Sequence, residues 1–247
     1  MENPYLQMLK KVQSTSTSSM TTETLEDYDL GGVDCELCHN TGHILSERDG
    51  EVFVRECECM NRRRSMRRIR KSGMEDMLKR YTFASYEAVD DERSALKKRA
   101  VMFSEADSGW LYIAGQSGSG KTHLCTAICN RLMERGKNVY YMRWRDESRQ
   151  IKALMNTDEV DLMLTKLKKI SVLYIDDFFK GGSNDADVRI AFEILNSRYN
   201  DTNLRTIISS EYSLSEICQI DEALGSRIYE RSKGYRLKAP SENWRLR

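Results

Sequence analysis

One stretch of eight residues constrains this chain more than any other: Gly115-Gln116-Ser117-Gly118-Ser119-Gly120-Lys121-Thr122. It follows a short apolar run, Trp110-Leu111-Tyr112-Ile113-Ala114, and precedes a stretch expected to be helical from Thr122 to Arg135. Glycines, a lysine and a hydroxyl at these spacings, between a strand and a helix, make the Walker A pattern. The glycines let several backbone N–H groups converge on one phosphate, and the helix that starts there adds its positive end. Lys121 is expected to reach the β- and γ-phosphates of ATP, and the Thr122 hydroxyl to ligate Mg²⁺. His123, next on the helix, joins the eight loop residues in the expected cofactor-binding set.

The apolar pattern around this loop sets the fold class. Asn138 to Met142, Val172 to Ile175, Thr206 to Ser209 and Tyr235 to Leu237 read as further short strands separated by helical stretches. Near-continuous apolar strands alternating with helices indicate an α/β fold, with a mostly parallel five-stranded sheet covered on both faces. The run Val172-Leu173-Tyr174-Ile175 ends in Asp176-Asp177, about 55 residues after the glycine-rich loop. In an open parallel sheet, ligands sit at the carboxyl ends of the strands. An acidic pair there looks like Walker B: Asp176 is expected to hold the Mg²⁺ shell, and Asp177 to orient or deprotonate the attacking water. An apolar run ending in acids is common enough that this reading leans on the loop before it.

Upstream, Cys35-x₂-Cys38 and Cys57-x-Cys59 stand 18 residues apart. Two cysteine pairs at this separation suit a structural Zn²⁺ site, although the second pair is tighter than the usual knuckle. Gly42 and Gly50 allow the chain to double back, with Val52-Phe53-Val54 as a hairpin strand, and His39 or His43 could replace one thiolate. Four thiolates leave no open position for chemistry, so the expected role is folding a poorly hydrophobic stretch. Cys125, Cys129 and Cys218 read instead as small apolar helix residues. Residues 60–80 read as one basic helix, with Arg62, Arg63, Arg64, Arg67, Arg68, Arg70 and Lys71 in a block without an acid. Such a block suits nucleic-acid phosphates, an acidic partner, or simply solvent. Arg143, Trp144 and Arg145 offer a second nucleic-acid contact, with Trp144 stacking on a base or packing in the core.

At these residues the chain resembles the DnaC/DnaI helicase loaders and the related IstB transposition ATPases, a clade of AAA+ proteins. The resemblance covers roughly Tyr81 to Arg247, more loosely the cysteine segment, and includes Tyr81-Thr82-Phe83-Ala84-Ser85-Tyr86 as a lead-in and the Asp-Asp form of Walker B. It implies that residues 206–211 carry sensor 1, where relatives show Asn and this chain has Glu211, a carboxylate that repels a γ-phosphate. It implies an arginine finger, acting on a neighbouring subunit, at Arg227 or Arg231, and a sensor 2 arginine at Arg245. It also implies an ATPase that is weak alone and stimulated by DNA or assembly.

The full expectation is an N-terminal helix and linker over residues 1–34, a zinc-binding segment and basic helix over 35–80, and an AAA+ ATPase domain over 81–247. The implied partners are a replicative hexameric DNA helicase, single-stranded DNA, and further copies of the chain assembling with ATP on DNA. A transposase helper of the IstB kind, or an ATP-dependent DNA-binding switch with little turnover, are the alternatives. A net charge of +1 excludes a strongly basic, DNA-coating protein. No stretch of about 18 apolar residues occurs, so no transmembrane helix is expected. Met1 to Lys11 lacks the apolar core of a signal peptide, which points to the cytoplasm and to no membrane partner.

Overall fold

A computed structural model of the protein describes residues 34–49, 51–71, 74–155 and 157–244. Residues 1–33 of the expected N-terminal helix and linker, and Arg245, lie outside the described residues.

The apolar runs form the sheet foreseen for them. Strands β3 (Trp110–Ala114), β4 (Val139–Arg143), β5 (Val172–Phe178), β6 (Arg205–Ser210) and β7 (Arg236–Lys238) pair in the order β4-β5-β6-β3-β7. Every pairing is parallel, so all five carboxyl ends point the same way. Ahead of them runs α3 (Asp91–Glu105), and between them run α4 (Lys121–Glu134), α5 (Trp144–Ala153), α6 (Asp158–Lys169), α7 (Asp185–Tyr199), α8 (Leu214–Ile220) and α9 (Glu222–Arg231).

The period of two along each strand divides the core in two. Leu111, Ile113, Val172, Tyr174 and Ile207 face one layer with Leu124, Ile128 and Leu132 of α4 and Leu96, Ala100 and Phe103 of α3. Trp110, Tyr112, Leu173, Ile175 and Ile208 face the other, with Leu167 of α6, Ile190 and Ile194 of α7, and Leu224 and Ile228 of α9. Each such buried side chain contributes about 1.5–3 kcal/mol. Arg198 is a charge within this core: it donates to the carbonyls of Leu167, Ile170 and Arg205 and to Thr206 Oγ1. Burial lowers its pKa to about 9. Its guanidinium stitches the ends of α6 and α7 to β6, where carbonyls would otherwise lack partners.

The N-terminal segment is a hairpin, β1 (His43–Arg48) and β2 (Glu51–Glu56), followed by α1 (Cys59–Lys71) and α2 (Glu75–Arg80). The single helix expected over 60–80 is therefore two helices. The Met74 N–H donates back to the Ile69 carbonyl, closing the first helix. α1 packs on β4: Ser65 Oγ accepts from the Val139 N–H, and Arg68 donates to the Val139 carbonyl with its guanidinium over the Tyr140 ring.

Candidate nucleotide-binding site

The loop between β3 and α4 takes the shape its glycines permit. Gly118 and Gly120 have φ of 78° and 88°, where a β-carbon is strained, and a β-carbon on Gly120 would also press on Tyr86. Gly120 is the N-cap of α4 and provides no side-chain cap, so the first-turn N–H groups stay available to an anion. Lys121 is buried, and its ammonium bends back to donate to the carbonyls of Gly115 and Gln116, both at 2.7 Å. Burial lowers its pKa, and the nearby carboxylates Asp177, Glu211 and Asp176 partly offset that.

Asp176 sits in a ring of hydroxyls. Its Oδ1 accepts from Tyr174 at 2.6 Å, Ser209 at 2.5 Å and Thr122 at 3.2 Å, and its Oδ2 accepts from Tyr141. Three parallel strands and the first turn of α4 thus converge on one buried carboxylate. Thr122 and Asp176, the two residues expected at Mg²⁺, are direct neighbours. A hydroxyl and a carboxylate on a hard cation are the oxygen donors such an ion takes, alongside water and phosphate. Sequence reasoning missed Tyr141, Tyr174 and Ser209. Their only signal was a polar group on inward positions of otherwise apolar strands.

Asp177 departs from the expected geometry. The two aspartates were expected to emerge from the strand end, but β5 continues through them to Phe178 and shifts register against β6 between Ile175 and Phe178. Asp177 has φ of 54° and Phe179 φ of 58°, a conformation held by the buried, stacked pair Phe178 and Phe179, whose ring centroids are 4.0 Å apart. Positive φ at a bulky residue costs on the order of 1–3 kcal/mol and clusters at functional sites. The Asp177 N–H donates to Ser209 Oγ, and its carboxylate pairs with Lys180 at 3.0 Å. Lys180 also pairs with Glu211 at 3.1 Å, a contact absent from the sequence reading.

Beside the loop lies a cavity of about 220 Å³ lined by Tyr86, Arg93, Ser119, Gly120, His123 and Trp244. His123 does not face the loop's phosphate side. Its Nε2 lies 2.9 Å from the Thr82 carbonyl, and its ring stacks on Tyr81 and meets Tyr86 edge-on. It ties α4 to residues 81–86 and walls the cavity; burial lowers its pKa, the Thr82 contact partly opposing this. Arg93 lies over the Trp244 ring, pairs with Glu242 at 2.8 Å, and the Trp244 N–H donates to the Gly118 carbonyl. The segment before Arg245 thus rests on the glycine-rich loop.

Arg227 and Arg231 are not brought to this loop. Arg227 donates to Asn196 Oδ1 and lies over the Phe192 and Tyr199 rings of α7. Arg231 lies over Trp110, at the opposite end of β3 from the loop, roughly 13 Å of strand away at about 3.3 Å per residue. Trp144 is buried against Phe178 and Phe179, which settles its alternatives in favour of packing. The basic block is largely occupied within the chain: Arg63 on Asn40, Arg64 on Glu56, Arg68 on β4 and Arg70 on Glu75.

The four cysteines do converge. The Sγ atoms of Cys35, Cys38, Cys57 and Cys59 all lie within 4.8 Å of one another, with Cys35 to Cys57 at 3.8 Å and Cys38 to Cys59 at 3.5 Å. A tetrahedron with Zn–S bonds of about 2.3 Å has edges of about 3.8 Å, so the sulfurs fit such an ion. The His43 ring turns instead to the Thr41 carbonyl, and neither His39 nor His43 joins the cluster. Burial opposes a charged Cys35, but the Cys38 and Leu37 amides and the neighbouring thiols outweigh it and bring its pKa to about 7, while burial raises Cys57 and Cys59. All seven cysteines are free of disulfides. Among the described residues no helix is long and apolar enough to cross a membrane.

Comparison with known proteins places these features. Residues 40–237 match the family described as IstB-like ATP binding protein. The chain is 31% identical to YqaM of Bacillus subtilis (strain 168) over 203 residues, 75% of this chain and 63% of that protein. It is 23% identical to the replicative helicase loader DnaC of Escherichia coli (strain K12), over 76% of this chain and 77% of that one. A crystal structure of the DnaC helicase loader superposes with a TM-score of 0.61 at 22% identity, covering 67% of this chain and 99% of that chain. That likeness is one of fold, and it agrees with the five-stranded parallel sheet flanked by helices.

Proposed function

Because this chain belongs to the IstB-like ATP-binding proteins, P-loop ATPases of the DnaC/IstB kind, we propose that it is an ATP-dependent loader of a replicative DNA helicase onto single-stranded DNA. The observation that carries the nucleotide site is the convergence of the glycine-rich loop, Lys121, Thr122 and the hydroxyl-ringed Asp176 at the carboxyl ends of parallel strands. In this reading residues 115–122 hold the phosphates, Thr122 and Asp176 hold Mg²⁺, and Asp177 orients water. The cavity beside His123 and Trp244 takes the nucleoside. Lys121 neutralises charge that builds on the transferred phosphoryl group.

Arg227 and Arg231 sit away from their own chain's loop, which agrees with a guanidinium offered to a neighbouring copy, and Arg245, outside the described residues, is the sensor 2 arginine of this reading. The site is then complete only in an assembly on DNA, and turnover by the isolated chain is weak. ATP binding drives assembly, and hydrolysis drives release.

Residues 35–80 form the second unit of the proposal, with Zn²⁺ held by Cys35, Cys38, Cys57 and Cys59 as a structural ion. This unit and the segment before it grip the helicase, while residues 81–247 bind ATP and single-stranded DNA. The fold likeness to the DnaC loader over nearly all of that chain supports this reading. A second reading, a transposase helper, is favoured by the family's description and by a 28% identical insertion-sequence ATP-binding protein of Sinorhizobium fredii.

Light scattering on the protein mixed with its host's replicative helicase, with and without ATP, separates the two. A stable complex is the expected outcome. No complex with ATP and single-stranded DNA present transfers the assignment to the transposase helper or to a DNA-binding switch.

A further inference from the structure

The acidic residues at the γ-phosphate end of the site pose an electrostatic problem. Asp177 and Glu211 both stand near Lys121, the lysine of the glycine-rich loop, and their carboxylates oppose the larger effect of burial on it. Two carboxylates there oppose a polyanion. The chain sets one ammonium between them: Lys180 reaches Asp177 at 3.0 Å and Glu211 at 3.1 Å.

Its placement is built rather than incidental. Lys180 follows the stacked, fully buried Phe178 and Phe179 and is followed by Gly181 and Gly182, both with positive φ. Its N–H donates to the Asp177 carbonyl at 3.0 Å, so the turn that holds its backbone also fixes the residue it pairs with. The left-handed conformations at Asp177 and Phe179 are local strain spent on this turn. Both carboxylates raise the Lys180 pKa against the opposing effect of burial, so the ammonium stays charged at neutral pH.

We propose that Lys180 is a positioning residue of the nucleotide site, which neutralises Glu211 and holds the Asp177 carboxylate so that a γ-phosphate is admitted beside two acidic side chains. The proposal rests on the nucleotide site described above and explains why a carboxylate is tolerated at position 211. Lys180 acts through its two partners and not on the β-phosphate, which the loop amides and Lys121 would hold. Its loss should therefore discriminate between ATP and ADP.

Titration calorimetry of the full chain with Mg·ATP and Mg·ADP tests this. Lys180→Met should weaken ATP binding about tenfold, a small part of the Coulomb energy of a unit charge at this range, and change ADP binding by less than about threefold. Lys180→Arg should keep ATP binding near that of the unaltered protein. Lys180→Met combined with Glu211→Gln should recover most of the loss, because removing one carboxylate does the work of the missing cation. Retained ADP binding shows in each case that the variant is folded. Equal loss of ATP and ADP in a variant whose thermal unfolding without ligand matches that of the unaltered protein, no loss of either, or no recovery in the double variant overturns the proposal while leaving the nucleotide site in place. Failure of the unaltered protein to bind either nucleotide removes the site reading itself.

Discussion

Replacing Lys121 by Met removes the ammonium while keeping most of the buried stem. In the structure that ammonium makes two 2.7 Å bonds to loop carbonyls, and both must pass to phosphate oxygens when nucleotide binds. Charge-assisted hydrogen bonds are worth about 1.5–3 kcal/mol each, and the bonds to the loop given up on binding offset part of that. A net loss of about 3 kcal/mol corresponds to roughly 150-fold weaker binding. Thermal unfolding with and without Mg·ATP reads this directly. At a ligand concentration about 100 times the dissociation constant, the unaltered protein gains about 2.7 kcal/mol. In a chain of this size that raises Tm by roughly 5–10 °C. At the same concentration the variant gains only about 0.3 kcal/mol, a shift of about 1 °C. Its Tm without ligand should stay close to that of the unaltered protein, because burial already disfavours the charged lysine. A variant that keeps the full ATP-dependent shift would refute the placement of Lys121 at the phosphates.

Three further outcomes are expected. The purified protein should carry about one zinc per chain, released on thiol modification and lost in Cys38→Ser, measured with a chromogenic chelator; metal-free protein with an intact hairpin would exclude the structural ion. Burial lifts the Glu147 carboxyl to about 7, its hydrogen bond from Tyr140 working the other way. Between about pH 4.5 and 7 the folded state therefore binds more protons than the unfolded chain, so stability should fall as pH rises, by at most about 3 kcal/mol. Urea midpoints should show that slope, and Glu147→Gln should flatten it; an unchanged slope would mean another group is responsible. Arg227→Ala combined with Arg231→Ala should spare ATP binding and cut DNA-stimulated hydrolysis, and unchanged turnover removes the proposed role in a neighbouring site.

Much of this protein was legible from local pattern alone. The five strands, their parallel arrangement and the loop before α4 follow from short-range rules: apolar runs bury strands, and glycine takes without strain the backbone angles found at positions 118 and 120. The cysteine pairs announced their own convergence, because thiol spacing is a local property and a hairpin between the pairs can close it. The basic block was only partly legible for a related reason. Charge runs show sign but not partner, and Arg63 and Arg68 find theirs in Asn40 and in β4, which only the packing of α1 supplies. The same holds for Trp144, whose neighbours Phe178 and Phe179 lie one strand away.

Tertiary structure alone decided the electrostatics of the site. Tyr141, Tyr174 and Ser209 stand on three different strands and meet at Asp176 because the sheet order places β5 between β4 and β6. Lys180 could be read as any exposed lysine until a register shift in β5 turned Asp177 aside and set the ammonium between Asp177 and Glu211. Backbone conformation and apolar burial are written residue by residue. Charge pairing depends on distances of about 3 Å across strands far apart in sequence, and those exist only once the sheet has formed.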